Sequence, residues 1–110
     1  MKKVLFIGPP GSGKGTQTKL LMPYGFSHIS TGDAYRKARD LRDPLVEPYI
    51  EHVDAGGFLP DDVLFALLEN RINKTKIDVG YILDGAIRNM NQAQLALERR
   101  LFDRVIHFSL

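Results

Sequence analysis

The sequence predicts an α/β protein in which a parallel β-sheet is flanked by helices. A short apolar strand at residues 4–7 leads into a glycine-rich turn that reopens as a helix, and this is a strand–turn–helix unit. Short apolar segments then alternate with helical segments along the chain. No repeat, low-complexity tract or linker interrupts this pattern, so the 110 residues fit one domain with a single core.

Breaking and capping signals place the elements after the first strand. A helix is predicted near residues 14–22, and the sequence Pro23-Tyr24-Gly25 ends it. Residues 27–29 are expected to form a short second strand. The hydroxyl of Ser30 or Thr31 then caps the second helix.

Two helices are predicted in the middle of the chain. The segment from residue 43 to residue 53 contains a helix that begins near Glu47, because Pro48 would kink a helix that began earlier. The sequence Pro60-Asp61-Asp62 opens the next helix, in which apolar side chains recur at helical spacing.

The last elements alternate in the same way. Residues 81–83 form a buried strand that ends at Asp84-Gly85. Asn91 is expected to cap the following helix, and residues 104–110 form the final strand. One face of this helix is predicted to consist of Ala93, Leu97 and Leu101.

Composition limits the classes of function. The chain has 44% hydrophobic and 25% charged residues, which is ordinary for a globular protein. Its net charge of +2 favours an anionic ligand but does not indicate a nucleic-acid-binding protein. The absence of cysteine excludes disulfides and thiolate zinc sites. With no apolar stretch near the length of a membrane span, we expect a cytoplasmic protein without membrane contact.

The glycine-rich turn has the composition of a phosphate-binding loop, or P-loop. Its glycines let consecutive backbone N–H groups turn toward an anion, the following helix directs its positive end there, and Lys14 reaches the outer phosphates. The hydroxyl of Thr16 stands one residue later than the general pattern has it, after Gly15. The predicted phosphate-binding residues are Gly8, Pro10, Gly11, Ser12, Gly13, Lys14, Gly15 and Thr16.

Several motifs together resemble those of the adenylate kinase family, in that family's order and spacing. They are Gly8–Thr16 with Gln17, Ile29-Ser30-Thr31-Gly32-Asp33 with Arg36, Leu59-Pro60-Asp61, and Ile82-Leu83-Asp84-Gly85 with Arg88 and Gln92-Ala93. The resemblance implies a P-loop sheet of about four strands in the order 2-3-1-4, within a single domain over residues 1–110. It also implies that residues 30–73 are a helical, AMP-binding insertion.

The resemblance implies reversible transfer of a phosphoryl group from Mg·ATP to AMP, with Mg²⁺ as the cofactor that accompanies ATP. Lys14, Asp84 and Arg88 are the implied catalytic residues, Lys14 on the ATP phosphates and Asp84 toward the metal. Thr16 would contribute an oxygen near the metal, and Asp33 would assist through water.

The resemblance also implies an acceptor site. Arg36 and Arg88 would grip the AMP phosphate, since a guanidinium donates two parallel hydrogen bonds. Gln92 would face the adenine edge. The AMP-binding residues implied in this way are Thr31, Arg36, Leu59, Gly85, Arg88 and Gln92.

The chain departs from the family in two respects. Ala86-Ile87 stands where the family usually has Phe-Pro, which removes packing and backbone restraint under the AMP site. The family continues into a lid and further arginine-bearing elements, so we expect a truncated form that resembles the N-terminal half. The final strand, residues 104–110, is then expected to be an open edge that pairs with a second copy or a complementing half.

Three hypotheses about function follow. The first is an active kinase of the adenylate kinase type. The second is a nucleotide-binding fragment without useful turnover, and the third is an assembly module that uses its exposed last strand. ADP formation that depends on Lys14 distinguishes the first from the second, and a stable oligomer would indicate the third.

Overall fold

A computed structural model describes residues 1–9 and 11–109. Four parallel strands form one sheet in the order β2-β3-β1-β4, as the resemblance implies. The strands are β1 (Lys2–Ile7), β2 (Phe26–Ser30), β3 (Gly80–Asp84) and β4 (Arg104–His107). Each predicted strand is therefore present, and β1, β2 and β3 are longer than the apolar patterns indicate. The final strand is shorter than predicted, and its expected last residue, Leu110, lies outside the described residues.

Helices connect the strands. In the described part of the chain they are α1 (Lys14–Leu21), α2 (Thr31–Asp40), α3 (Ile50–Asp54), α4 (Asp61–Lys74) and α5 (Met90–Glu98). Two 3₁₀ turns lie among them, at Met22–Tyr24 and Glu47–Tyr49. The second confirms that the middle helical segment begins at Glu47. None of the helices in the described residues is long and apolar enough to cross a membrane.

The predicted cap of α5 is wrong. Asn89, and not Asn91, precedes the helix with an extended backbone, and its side-chain oxygen accepts a hydrogen bond from the Gln92 N–H at 2.9 Å. Asn91 lies inside the first turn and donates instead to Asp61. By contrast Ser30, one of the two expected caps of α2, accepts from the Asp33 N–H at 3.2 Å.

The predicted end of α5 is also wrong, because Leu101 lies beyond the helix. Arg100 adopts a left-handed conformation with φ of 55° and turns the chain. The N–H groups of Arg100 and Leu101 then bond the carbonyls of Leu97 and Ala96, which satisfies the last carbonyls of the helix. The Leu101 side chain is still buried in the core, but it enters from the turn and not from the helix face.

The core occupies both faces of the sheet. Alternate strand residues point to opposite faces, so Leu5, Tyr81 and Leu83 pack with α4 and α5. Val4, Phe6 and Ile82 form a smaller cluster on the other face. A third cluster joins α2 to α4 and consists of Ala34, Tyr35, Ala38, Val46 and Leu67. Strand β3 is buried throughout except at its last residue.

Tyr81 joins β3 to the turn after α5. Its side chain is 1% exposed, and its hydroxyl donates to the Leu101 carbonyl oxygen at 2.6 Å. Burial raises the pKa of this phenol from 10.0 to about 12. A second buried tyrosine, Tyr35, has no hydrogen-bond partner for its hydroxyl among the described residues.

The two tyrosines are expected to respond differently to loss of the hydroxyl. Tyr81→Phe leaves the Leu101 carbonyl unpaired and should lower the free energy of unfolding by about 1–3 kcal/mol. Tyr35→Phe removes an unpaired buried hydroxyl and should change it by less than about 0.5 kcal/mol, or raise it. Urea unfolding of both variants beside the unmodified chain measures the difference. Equal losses would contradict the hydrogen-bond assignment.

Tyr81 also predicts a loss of stability in alkali. The folded pKa of about 12 exceeds the unfolded value of 10.0. The contribution of the Tyr81 phenol to the free energy of unfolding is therefore complete below pH 10 and declines as the pH rises toward 12. The decline should reach about 2–3 kcal/mol. Urea unfolding between these pH values, with phenolate absorbance as the probe of ionisation, should show a steeper decline than in Tyr81→Phe.

Candidate functional site

The site lies at one edge of the sheet, where the parallel strands end. The last residues of β2 and β3, Ser30 and Asp84, are partners in the register, and Asp84 is also the partner of Phe6 near the end of β1. The loops that leave these strands therefore meet at the same edge, which is where open α/β sheets bind ligands. The predicted site residues that are far apart in sequence come from these loops and from the helices that follow them.

The loop after β1 turns on two glycines. Gly11 and Gly13 have φ of 82° and 92°, a conformation that costs little only for glycine. Gly13 immediately precedes α1, whose first turn receives no side-chain cap from residues 1–9 or 11–109. The N–H groups at the start of α1 thus remain available to an anion, as the P-loop prediction requires. Pro10, a predicted member of this loop, lies outside the described residues.

Gly8 has no room for a side chain. A Cβ at this position would lie 2.8 Å from Cβ of Phe108 and 2.9 Å from Oγ of Ser12. At Gly15, by contrast, an added Cβ meets none of the described residues within 4 Å. The closeness of Gly8 to Phe108 ties the loop to the segment that follows β4.

Lys14 and Asp84 form the central ion pair of the site. The Lys14 ammonium lies 2.9 Å from Oδ1 of Asp84, and it also donates to the Gly8 carbonyl at 3.0 Å. Both side chains are about one-fifth exposed, at 21% and 19%. The pair holds the P-loop lysine over its own loop and beside the end of β3.

His28 is the second partner of Asp84, and it was not among the predicted site residues. Its Nε2 lies 3.2 Å from Oδ2 of Asp84. Ser30, two residues along β2, is the register partner of Asp84, which makes His28 a diagonal neighbour of Asp84 in the sheet. The register was therefore the missing signal, and it cannot be obtained from residues on one strand.

The residues fit a magnesium ion held largely by a nucleotide. The described residues contain no group of three or more acidic, histidine or cysteine side chains that would cage a metal. Asp84 and the exposed hydroxyl of Thr16 are hard oxygen donors near the phosphate loop. Magnesium commonly takes one or two protein oxygens and completes its shell with phosphate and water.

Five of the six predicted AMP-binding residues line one cavity of about 290 Å³ beside the loop after β3. They are Thr31, Leu59, Gly85, Arg88 and Gln92. Buried Ala86 lines it too, where the family pattern has an aromatic residue. The cavity thus brings together residues from α2, α4, α5 and the connecting loops.

Arg36, the sixth predicted AMP-binding residue, is paired elsewhere. Its guanidinium contacts the Asp33 carboxylate, and both side chains are more than half exposed. Hydrogen bonding with Ser30, and then with Arg36, lowers the pKa of Asp33. Both residues occupy the exposed side of α2 near its start, and Arg36 is not part of the cavity lining.

Two buried hydroxyls face the cavity without partners. Thr31 and Tyr35 lie one helical turn apart on α2, both line the cavity, and neither oxygen has a hydrogen-bond partner in the described part of the chain. Burial, together with nearby Asp54, raises the pKa of Tyr35. Tyr35 was not among the predicted site residues. Its spacing from Thr31 was the available signal.

The Gln92 amide, by contrast, has partners for both of its heteroatoms. Oε1 accepts from the backbone N–H of Arg88 at 2.8 Å, and Nε2 donates to Oδ1 of Asp61 at 3.1 Å. Asp61 also accepts from Nδ2 of Asn91 at 2.7 Å. Asp61 was predicted as the start of a helix and as part of the Leu59-Pro60-Asp61 motif, without a role at the site. Its contact with residues about thirty positions away has no local signal.

Comparison with known proteins gives a consistent result. The family model described as adenylate kinase matches residues 6–110. An adenylate kinase of Carboxydothermus hydrogenoformans is 42% identical over 90% of this chain and 46% of its own length. An adenylate kinase of Cyanothece is 37% identical over 100% of this chain and 60% of its own length. Adenylate kinase 4 of Arabidopsis thaliana is 38% identical over 99% of this chain and 47% of its own length. The chain spans about half the length of the curated relatives it matches.

Substitutions at two loop glycines should differ in their effect on the free energy of unfolding. Gly8→Ala forces the loop away from Phe108 and Ser12 and should lower the free energy of unfolding by about 1–3 kcal/mol. Gly15→Ala, in open space at the start of α1, should leave it unchanged or raise it by up to about 1 kcal/mol. Urea unfolding measures both. A Gly8→Ala variant as stable as Gly15→Ala would contradict the close packing of this loop.

Proposed function

The chain belongs to the adenylate kinase family, and we propose that it binds ATP and AMP and transfers a phosphoryl group between them. The observation that supports this most directly is the adjacency of two features at one edge of the sheet. One is the P-loop with its Lys14–Asp84 pair, and the other is the cavity lined by Thr31, Arg88 and Gln92. The loop suits the donor phosphates and the cavity suits the acceptor nucleotide.

On the donor side, the chain supplies positive potential. The N–H groups of the loop and of the first turn of α1 bind the ATP phosphates, and Lys14 contacts the outer ones. Lys14 already has an anionic partner in Asp84. A bound phosphate would therefore either replace Asp84 as the partner of Lys14 or share the Lys14 ammonium with it. The described loop residues in this role are Gly8, Gly11, Ser12, Gly13, Lys14, Gly15 and Thr16.

Asp84 and Thr16 would hold the magnesium ion, and Asp33 would act through water. When bound, magnesium neutralises charge on the phosphates. Asp84 is positioned for this role by β3, whose buried residues fix the end of the strand at the loop. Its contact with His28 orients the second carboxylate oxygen.

On the acceptor side, residues 30–73 form the AMP-binding part together with the loop after β3. Arg88 binds the AMP phosphate. Arg36 also binds this phosphate after its ion pair with Asp33 breaks, which costs little free energy because both side chains are exposed. Thr31, Leu59 and Gly85 line the remaining wall. Gln92 faces the base with the free lone pair of Oε1 and the free N–H of Nε2.

The transfer itself needs positioning more than covalent catalysis. An AMP phosphate oxygen attacks the γ-phosphorus of ATP, the bond to the β,γ-bridging oxygen breaks, and its electron pair stays on the departing ADP. The products are two ADP molecules. Lys14 and Arg88 stabilise the charge on the phosphoryl oxygens from the donor and acceptor sides.

Binding without turnover is the second proposal, because Ala86-Ile87 leaves the loop before Arg88 less restrained than an aromatic–proline pair would. The chain would then bind ATP and AMP but form no ADP. A cytoplasmic location fits either proposal for a cysteine-free chain that uses these nucleotides.

An assembly role rests on a separate observation. All four residues of β4 are exposed at the sheet edge, including Val105 and Ile106 at 51% and 43%. An exposed apolar edge strand pairs readily with another chain, whether a second copy or a complementing half. Sedimentation equilibrium, with Ile106→Lys as the disrupting variant, tests whether the chain associates through this edge.

Lys14→Ala should abolish ADP formation and lower the affinity for ATP by at least about tenfold, because it removes the phosphate-binding ammonium. Phosphorus NMR of the chain with ATP, AMP and magnesium measures turnover, and calorimetry measures affinity. Lys19→Ala, on the exposed last turn of α1, is the matched control. ADP at the same rate in Lys14→Ala would exclude this site as the catalytic one.

Arg88→Ala should weaken the binding of AMP by about tenfold to a hundredfold and leave the binding of ATP nearly unchanged, because Arg88 lines the acceptor cavity. Titration with each nucleotide separately distinguishes the two effects. Arg104→Ala, on exposed β4, controls for the loss of one positive charge. Undiminished AMP affinity in Arg88→Ala would rule out the proposed acceptor site.

A further inference from the structure

The two partners of Gln92 determine which way its amide points. The backbone N–H of Arg88 can only donate, so the atom that faces it must be the carbonyl oxygen Oε1. The Asp61 carboxylate can only accept when ionised, so the atom that faces it must be the amide nitrogen Nε2. The orientation is therefore a consequence of donor and acceptor chemistry on both sides of the amide.

Asp61 is itself held in place. It lies in the first turn of α4, and its second oxygen accepts from Asn91 at 2.7 Å on the first turn of α5. One carboxylate thus bridges two neighbouring side chains of α5 and links that helix to α4. Asp62, the next residue, shares the helix turn and the charge but is exposed, and it has no such contact within the described residues.

Gln92 lines the cavity, whereas Asp61 does not. After its bonds to Arg88 and Asp61, the amide retains one lone pair on Oε1 and one N–H on Nε2. A base in the cavity therefore meets a donor and an acceptor in a fixed order. A 6-amino purine offers a donor at the amino group and an acceptor at N1, and a 6-oxo purine offers the reverse order.

We propose that Asp61 is a positioning residue that fixes the Gln92 amide and thereby makes the cavity select a 6-amino purine over a 6-oxo purine. This inference rests on the proposed function, in which AMP occupies the cavity. A fixed amide cannot rotate to match a 6-oxo base, so such a base leaves buried polar groups unpaired. Without Asp61, only the Arg88 N–H still favours this orientation, so the amide can turn to match a 6-oxo base at lower cost and the selection weakens.

The test compares Asp61→Asn with Asp62→Asn. Both substitutions remove one negative charge from the first turn of α4, but only Asp61→Asn sets against Gln92 an amide that can either donate or accept. Calorimetric titration with AMP and with inosine monophosphate, its 6-oxo analogue, gives a ratio of affinities for each protein. We expect the unmodified chain and Asp62→Asn to prefer AMP by about tenfold or more, and Asp61→Asn to lose most of that preference.

A second readout reports the amide orientation without any nucleotide. The Arg88 N–H should exchange slowly with solvent while Oε1 of Gln92 accepts from it, and faster by about tenfold when the amide turns. Hydrogen exchange by NMR on the free chain should show this acceleration in Asp61→Asn and not in Asp62→Asn. An ordinary loss of packing would weaken the binding of AMP and of inosine monophosphate by the same factor, and would leave the ratio of the two affinities unchanged.

The outcomes separate the inference from the function on which it depends. An unchanged affinity ratio in Asp61→Asn, or unchanged exchange at Arg88, overturns the positioning role of Asp61. Failure of the unmodified chain to bind either nucleotide overturns the acceptor site, and base selection with it. In that second case the Arg88 N–H still exchanges faster in Asp61→Asn than in Asp62→Asn, and this difference distinguishes the two outcomes.

Discussion

The burial of β3 between β1 and β2 is the constraint on which the rest of the structure depends. Its register places Asp84 at the same edge as Ser30 and beside the end of β1, so donor loop and acceptor cavity meet there. The approach is close: a Cβ on Gly80 would collide with the Lys2 carbonyl oxygen. Tyr81 and Leu83, both almost fully buried, anchor the strand on the α4 and α5 side. The position of Asp84 is therefore set by packing and strand pairing several residues away from it.

Local signals predicted the fold well and its boundaries less well. Short-range signals predicted the alternation of strands and helices, the end of the first helix before Pro23 and the start of the middle helical segment at Glu47. The structure contains all three features. The error at the end of α5 has a different origin. Arg100 adopts a positive φ that sequence rules reserve mainly for glycine and asparagine. The helix ends there because the buried Leu101 side chain holds the turn in place.

The site shows the same division between local and long-range information. Glycines followed by Lys14 identify the phosphate loop from adjacent residues, and the motifs around Arg88 and Gln92 led to a single cavity. His28, Tyr35 and Asp61 were not found in this way, since each acts through a residue on another element or through a cavity wall. The roles of His28 and Asp61 depend on register and on helix packing. Information of that kind appears only after the chain has folded.

The cavity and the phosphate loop keep polar groups that the protein itself does not satisfy. The hydroxyls of Ser12, Thr31 and Tyr35 are buried without partners among the described residues. Each such group costs stability of about 1–3 kcal/mol relative to a paired one. All three lie on the proposed binding surfaces, and the Gln92 amide beside them is fully paired toward the protein. A ligand that supplies partners for those hydroxyls would recover part of that cost, so binding and folding are coupled through them.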